Sequence, residues 1–209
     1  MLIRPALVAA TAAALTLLPL GVANAQTYRH VDAAHDVQTG TFNSNDTFPP
    51  PLAPAPTQAD PDIRKVKIKY GQDQLSVRVH FGDLTRTQKA ISIYGVMIRT
   101  SEHKRRELDL LAGPGHWKGQ AELLAPHPCR GLRHHISYRL HDVVMRVPAS
   151  CLGNPGWVKV AGISVKETLD MPAPGTDPTD ANVTLFLDDA LSDKASFTTM
   201  HWTPRIHRH

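Results

Sequence analysis

Short stretches of alternating apolar and polar residues, separated by turn residues, constrain the fold of this chain most. Residues 63–70 and 75–81 alternate at period two around Gly71-Gln72-Asp73, which predicts a β-hairpin with one wet face. No segment carries a sustained helical stripe with caps. Further strand-like stretches cover residues 91–98, 107–111, 119–124, 138–147, 157–165 and 183–187. The pattern predicts an all-β fold, an antiparallel two-sheet β-sandwich of jelly-roll or immunoglobulin-like type.

The start of the chain has the pattern of a secretory signal peptide over residues 1–25. Arg4 precedes an apolar stretch over residues 6–22, and Ala23-Asn24-Ala25 is a small-x-small cleavage pattern. A membrane anchor is the alternative, but the unbroken apolar part is shorter than the ~20 residues that a spanning helix needs. We therefore expect a protein secreted to the cell exterior, with no membrane insertion after cleavage.

The rest of the chain is predicted to divide into three parts. Residues 26–61 are first polar and then rich in proline, which predicts a flexible, disordered N-terminal arm because proline is excluded from the interior of helices and sheets. Residues 62–200 are expected to form the sandwich. Residues 201–209 are expected to form a C-terminal tail.

The chain holds two cysteines, Cys129 and Cys151. An even number of cysteines in an exported chain predicts a disulfide. A catalytic thiol and a metal-binding pair are the alternatives, although neither cysteine lies in a nucleophile signature and no CxxC spacing exists. The net charge is +4 and the basic residues are scattered along the sequence, so no nucleic-acid partner is expected.

Aspartates near the predicted strand ends are candidate calcium ligands. Asp32 and Asp36 lie in the arm and Asp62 precedes the first strand, while Asp60, Asp188 and Asp189 stand at similar positions. Calcium takes several oxygen ligands from loops, but such aspartates also serve as turn formers and caps. If the arm docks on the sandwich, repulsion between the gathered carboxylates favours a bound cation. Calcium at Asp32, Asp36 and Asp62 is the one cofactor predicted.

Two other groups of residues are candidate binding sites. His116 and Trp117 follow a Gly-Pro-Gly turn, where an exposed aromatic ring suits a sugar, with core or rim packing as the alternative. A histidine-rich segment indicates either a polar surface or a weak transition-metal patch, and contains His127, His134, His135 and His141. The sequence holds no GxSxG, P-loop, GxGxxG or HExxH motif.

Two runs of short motifs resemble a known group of proteins. The first is Asp32-x-x-x-Asp36, then Asp62-Ile63-x-x-Val66-x-Ile68 and the hairpin that ends at Phe81. The second is Val147-Pro148-x-x-Cys151-Leu152-Gly153-x-Pro155-x-Trp157-Val158-x-Val160. Both resemble exported actinobacterial proteins of unknown function, whose sandwich is similar to family 9 carbohydrate-binding modules and DOMON domains. The resemblance implies a sandwich and a cation near the early aspartates. It supplies no activity.

Together these features predict an exported, non-enzymatic β-sandwich module. Its expected partner is an extracellular ligand of unknown identity, with a carbohydrate or another cell-surface component as the leading classes. The alternatives are an exported hydrolase whose site is not readable from the sequence, and a purely structural domain.

Overall fold

The computed structural model describes residues 25–43, 46, 48, 50–170 and 181–209. These residues form two antiparallel β-sheets packed together and one short 3₁₀ turn at Ala149–Leu152, so the predicted all-β sandwich is confirmed. Apart from Ala25, the predicted signal peptide lies outside the described residues. Within the described ranges, no helix is long and apolar enough to cross a membrane.

The described strands are numbered in chain order. They are β1 (Gln26–Val31), β2 (Gln38–Asn43), β3 (Ala53–Pro54), β4 (Ile63–Tyr70), β5 (Gln74–Phe81), β6 (Ala90–Thr100), β7 (Arg105–Ala112), β8 (Gln120–Leu124), β9 (Arg133–Ser137), β10 (Asp142–Pro148), β11 (Trp157–Asp170), β12 (Asn182–Asp189) and β13 (Ile206–His207). Sheet A has the order β1-β4-β5-β10-β9. Sheet B has the order β3-β2-β12-β11-β6-β7-β8, and β13 also pairs with β11.

The core lies between the two sheets, and period-two alternation explains its composition. In β4 the side chains of Val66, Ile68 and Tyr70 point inward and are buried, whereas the intervening lysines are exposed. The predicted hairpin of β4 and β5 is confirmed. A second apolar cluster covers part of the outer face of sheet B, and its buried members are Val165, Leu185, Leu187 and Ala195.

Gly95 in β6 is a point of close approach. A Cβ at this position would lie 3.1 Å from Cγ1 of Ile163 on the neighbouring strand β11. The strand pairs regularly through Gly95, with no bulge at this position. The glycine leaves room for Ile163 and for the carboxylate of Asp109 on β7.

The expected boundary between a flexible arm and the sandwich differs from the structure. Strands β1, β2 and β3 all lie within residues 26–61. All six residues of β1 pair with β4, and β2 pairs with β12 over six residues. These strands were not predicted because backbone hydrogen bonds to neighbouring strands hold them in place, and such main-chain pairing is hardly visible in the polarity of the side chains.

The expected C-terminal tail is also part of the sheet. On one side of β11, strand β12 pairs with Ile163–Asp170 and does not reach further. The first half of β11 therefore has no β12 partner on that side. The chain after residue 201 fills the gap, because β13 pairs with Trp157 and Val158. Thr203 adds a hydrogen bond from its N–H to the carbonyl of Val160, at 2.9 Å.

One predicted strand proves to be a turn followed by a strand. Residues 138–147 were expected to be continuous, but β10 begins only at Asp142 and pairs with β9 across a tight connection. His141 has a φ of 51° in this connection. Strand β9 was not predicted, because its sequence Arg-His-His-Ile-Ser contains a single aliphatic residue.

The predicted disulfide between Cys129 and Cys151 is confirmed, with a Cα–Cα distance of 5.4 Å. It closes a loop with a sequence separation of 22 residues, which corresponds to about 3 kcal/mol in the chain-entropy model.

We therefore expect the variant with Cys129→Ala and Cys151→Ala to lose about 3 kcal/mol of unfolding free energy. Urea unfolding of both proteins without reductant measures the difference, and equal midpoints with equal slopes would contradict the expectation.

Candidate metal centre

Three chain segments bring aspartates to one end of the sandwich. Asp32 directly follows β1, and its N–H donates to the carbonyl of Arg64 at 3.1 Å, which continues the ladder between β1 and β4. Asp62 directly precedes β4, and Asp36 lies in the loop between β1 and β2. Asp188 is at the end of β12 in the opposite sheet. The loop between β1 and β2 therefore places Asp36 beside Asp62 and Asp188, while Asp32 groups with Asp36 and Asp193. The three predicted calcium ligands are thus divided between two groups that share Asp36.

Hydrogen bonds hold Asp62 and Asp188 in place from one side. The Asp62 Oδ2 accepts from the N–H of His35 at 3.1 Å and lies 2.9 Å from the Arg64 guanidinium. The Asp188 Oδ2 accepts from the N–H of Ile63 at 2.5 Å, which joins sheet B to sheet A. Each carboxylate thus uses one oxygen to fix its orientation.

The remaining oxygens of the cluster are buried and have no hydrogen-bond partner among the described residues. They are both carboxylate oxygens of Asp32 and Asp36, together with Oδ1 of Asp62 and of Asp188. Asp62 and Asp188 are each 0% exposed. The Nε2 atom of the His30 ring lies 3.7 Å from the Oδ1 atom of Asp32. Buried oxygens without partners are costly, so the cluster is incomplete as a set of protein groups alone.

The pKa values of Asp32, Asp36 and Asp188 are raised, as burial of carboxylates requires. Burial, reinforced by the charges of Asp188 and Asp36, raises the pKa of Asp32 to about 8. Burial, opposed in part by the hydrogen bond from Ile63, also raises the pKa of Asp188 to about 8. The pKa of Asp36 is raised chiefly by burial as well. The anionic forms therefore need a compensating positive charge near neutral pH.

The geometry of the cluster suits a cation with oxygen ligands. One group consists of Asp32, Asp36 and Asp193, and the other of Asp36, Asp62 and Asp188; in each group the ligand atoms lie within 4.8 Å of one another. Oxygens around one calcium ion lie about 2.4 Å from the metal, so they are separated by at most about 4.8 Å. Because the ligands are carboxylates, with no histidine or cysteine in either group, the site favours calcium over zinc or copper.

Two aspartates that the sequence offered as further candidates have protein partners instead. Asp60 accepts from the Lys166 ammonium at 2.8 Å and from the Thr85 hydroxyl at 2.6 Å. Asp189 accepts from the N–H of Leu191 at 3.0 Å and contacts the His201 ring at 3.0 Å. Sequence position alone does not distinguish these residues from the metal candidates, since a single residue separates Asp60 from Asp62, and Asp188 and Asp189 are adjacent.

The sequence analysis did not assign Asp193 or Asp188 to the candidate calcium site. Asp188 was among the wider set of strand-end candidates, outside the predicted set of three, and Asp193 follows β12 in a segment without alternation. The Asp-Asp pair at the end of an apolar strand was the available signal for Asp188. No signal in the sequence places Asp193 near Asp32.

The candidate sugar site lies elsewhere on the surface. His116 is exposed and Trp117 is half-buried, with its ring edge-on to Tyr138 at a centroid distance of 6.3 Å. The Arg86 guanidinium covers the Tyr138 ring at 4.3 Å. Arg86, His116 and Trp117 contribute to one shallow depression. Sugar binding at this depression stays a prediction.

The predicted histidine patch has no counterpart among the metal-compatible groups of the described residues, which consist of aspartates. His134 and His135 are adjacent in β9 and point to opposite faces of sheet A. The His134 Nε2 atom lies 3.0 Å from the carbonyl oxygen of Gly119, so a backbone group already occupies it.

Comparisons with protein-family models, with curated proteins and with solved structures found no match to this chain. The resemblance to exported actinobacterial proteins and to carbohydrate-binding or DOMON-like sandwiches therefore stays an expectation. What can be said about function has to come from the chemistry of the chain itself.

Proposed function

We propose that this chain is a secreted, calcium-stabilised β-sandwich module that binds a ligand at the cell exterior without catalysing a reaction. The observation that carries the proposal is the cluster of buried, unpartnered carboxylate oxygens contributed by three separate segments. The signal-peptide pattern and the disulfide support an extracellular setting, where calcium is available to sites of modest affinity.

The role proposed for calcium is structural. Asp32 and Asp36 follow β1, Asp62 begins the first hairpin, and Asp188 ends a strand of sheet B. An ion held by these residues would tie the N-terminal strands to both sheets at one point. Binding to the folded state alone stabilises that state by mass action.

A binding role is favoured over hydrolysis by the burial of the carboxylates. A pair of carboxyl groups with separated pKa values is a recognised catalytic device, but it needs access to substrate. Asp62 and Asp188 are 0% exposed, and Asp32 is 7% exposed. Groups so enclosed suit an ion of atomic size better than an organic substrate.

Calcium titration of thermal stability tests the proposal. At ten times the dissociation constant, calcium should add about 1.4 kcal/mol to the unfolding free energy, or roughly 3–6 °C in Tm for a domain of this size. Asp36→Asn should remove this shift because Asp36 belongs to both carboxylate groups. Asn keeps the size of the side chain while removing its charge.

Asp73→Asn is the matched control, since Asp73 is exposed in the turn between β4 and β5 and belongs to neither group. This variant should respond to calcium as the parent protein does. Magnesium should give a smaller shift, because it demands octahedral geometry and retains water. A parent protein with the same Tm in calcium and in chelator would contradict the proposed function.

A further inference from the structure

The solvent-facing side of sheet A gathers positive charge that is scattered in the sequence. Outward and inward side chains alternate along the five strands, and the outward side chains of β4 and of most of β5 are exposed. Val144 of β10 also points outward but is buried. The outward Lys and Arg residues are Arg29, Lys65, Lys67, Lys69, Arg78, Arg133 and Arg146. Asp142 is the one carboxylate at an outward position of these strands. This surface, called the basic face below, carries more net positive charge than the whole chain, which has +4.

The strand register places like charges directly opposite one another on the basic face. Arg29 is opposite Lys67, and Lys67 is opposite Arg78, so three neighbouring strands present a row of cations. Arg133 is opposite Arg146 in the same way. Like charges in directly opposed positions destabilise a sheet. These opposed cations therefore repel one another, which alternating positive and negative side chains at the same positions would have avoided.

Protein carboxylates do little to neutralise the basic face. Among the seven cations, and within the part of the chain that the structure describes, only Arg78 has an ion pair, with its Nε atom 3.9 Å from Asp142. The same carboxylate also contacts the His80 ring at 3.1 Å. Protection of sheet edges does not explain the pattern, because β4 and β5 lie inside sheet A and carry four of the cations.

We propose that the basic face binds an anionic polysaccharide. The face spans five strands, or about 19 Å across at the usual strand spacing, so an extended polymer with repeated negative groups can contact several cations at once. Release of counterions from such a polymer supplies binding free energy in proportion to the number of cations engaged. Arg29, Lys67 and Arg78 lie in one row and would meet successive charges along the polymer.

The chemistry of the face favours a polysaccharide over the other common polyanions. No Trp, Tyr or Phe occupies an outward position in these five strands, so the face lacks the aromatic anchors of membrane-surface binding and the stacking platforms of single-stranded nucleic acid. It is a sheet face without a protruding helix or ribbon to enter a groove of duplex DNA. The proposal relies on the proposed function only for its extracellular setting.

Binding of a fluorescent, sulfated heparin-type octasaccharide to the mature chain tests the proposal, with calcium present throughout. We expect binding at about 50 mM NaCl, weakened at least about ten-fold at roughly 200 mM. Binding to the fully desulfated octasaccharide, which keeps only its carboxylates, should be weaker by at least about ten-fold. Replacing Lys65, Lys67 and Lys69 by Gln should weaken binding at least about ten-fold and lower the salt dependence. All three side chains are exposed, and the melting curve of the variant verifies its fold.

The matched control replaces three exposed lysines outside the basic face, Lys89, Lys104 and Lys194, by Gln. It removes the same charge and should change the affinity less than about two-fold. Equal weakening by both triple variants would overturn the proposal, since net charge would then account for the binding. Tighter binding to a short DNA duplex or to anionic lipid vesicles, or no binding to the sulfated octasaccharide, would also overturn it. The proposed function is tested by Tm in calcium, so the two proposals fail independently.

Discussion

In chelator, the unfolding free energy of this protein should fall as the pH rises from about 5 to 8, and saturating calcium should suppress that fall. The pKa of Asp188 is raised by burial to about 8, against 3.8 for the ordinary group, and the pKa of Asp32 is raised to about 8 in the same way. Between these values the folded state binds more protons than the unfolded state. The resulting stabilisation is complete below about pH 4 and is lost as the pH rises to about 8.

The expected effect is large. For Asp188 alone, the loss between about pH 5 and pH 7 amounts to about 3 kcal/mol, and Asp32 acts in the same direction. The proposed calcium ion would bind the ionised carboxylates and displace the protons, so its stabilising effect should grow with pH. Urea unfolding at several pH values, in calcium and in chelator, measures both trends.

Asp188→Asn should flatten the pH profile in chelator, because it removes one of the carboxyl groups whose pKa is raised, while an acceptor oxygen remains for the N–H of Ile63. Asp73→Asn, in an exposed turn, should leave the profile as it is. Parallel pH profiles in calcium and in chelator would show that the carboxylates do not bind the ion.

Lys166→Met should destabilise the protein by about 3–5 kcal/mol, because it leaves the buried carboxylate of Asp60 without its cation. Lys166 is 8% exposed and Asp60 is 4% exposed. The ammonium donates to Asp60 Oδ2 at 2.8 Å and to the Thr85 hydroxyl at 2.9 Å. This ion pair ties the segment before β4 to β11, much as Ile63 and Asp188 tie the two sheets nearby.

The double variant Lys166→Met with Asp60→Asn separates the cost of an unpaired charge from the loss of packing. The substituted amide would be neutral, and its oxygen would still accept from the N–H of Thr85, which now donates to Asp60 at 2.9 Å. We expect the double variant to recover most of the lost stability, as measured by urea unfolding. A single variant within about 1 kcal/mol of the parent would contradict the expectation.

The fold class could be predicted from the sequence because side-chain polarity records which face of a strand is buried. The hairpin of β4 and β5 shows this, since Val66, Ile68 and Tyr70 alternate with lysines and each occupies the expected face. The disulfide was predictable for a different reason. The signal-peptide pattern favours disulfide formation, and a count of two leaves Cys129 a single intramolecular partner in Cys151.

The N-terminal and C-terminal strands could not be predicted in the same way. Strand β1 is at the edge of sheet A, with Tyr28 and His30 on its inner side, so its polarity pattern is weak. Strand β13 has two residues and fills a gap left by β12. Their positions depend on which backbone groups of β4 and β11 are still unpaired, and this follows from the assembled sheets.

Only part of the candidate calcium site could be predicted from the sequence. Asp32, Asp36 and Asp62 were recognisable as oxygen ligands, because their residue type and their positions at strand ends suit calcium. Only the tertiary structure separates Asp62 from Asp60, since Lys166 neutralises Asp60 and comes from a strand more than a hundred residues later in the chain. It also adds Asp188 and Asp193.

By itself, the sequence determined the strands with clear alternation, such as β4 and β5, the pairing of the cysteines, and the signal-peptide pattern. These depend on local polarity and on composition. Only the tertiary structure decided where charge accumulates. The basic residues of β1, β4, β5, β9 and β10 are far apart in the chain, and their side chains share a surface because sheet pairing aligns the outward faces of all five strands. The buried aspartates meet for the same reason: strand order, rather than sequence distance, sets which charges become neighbours.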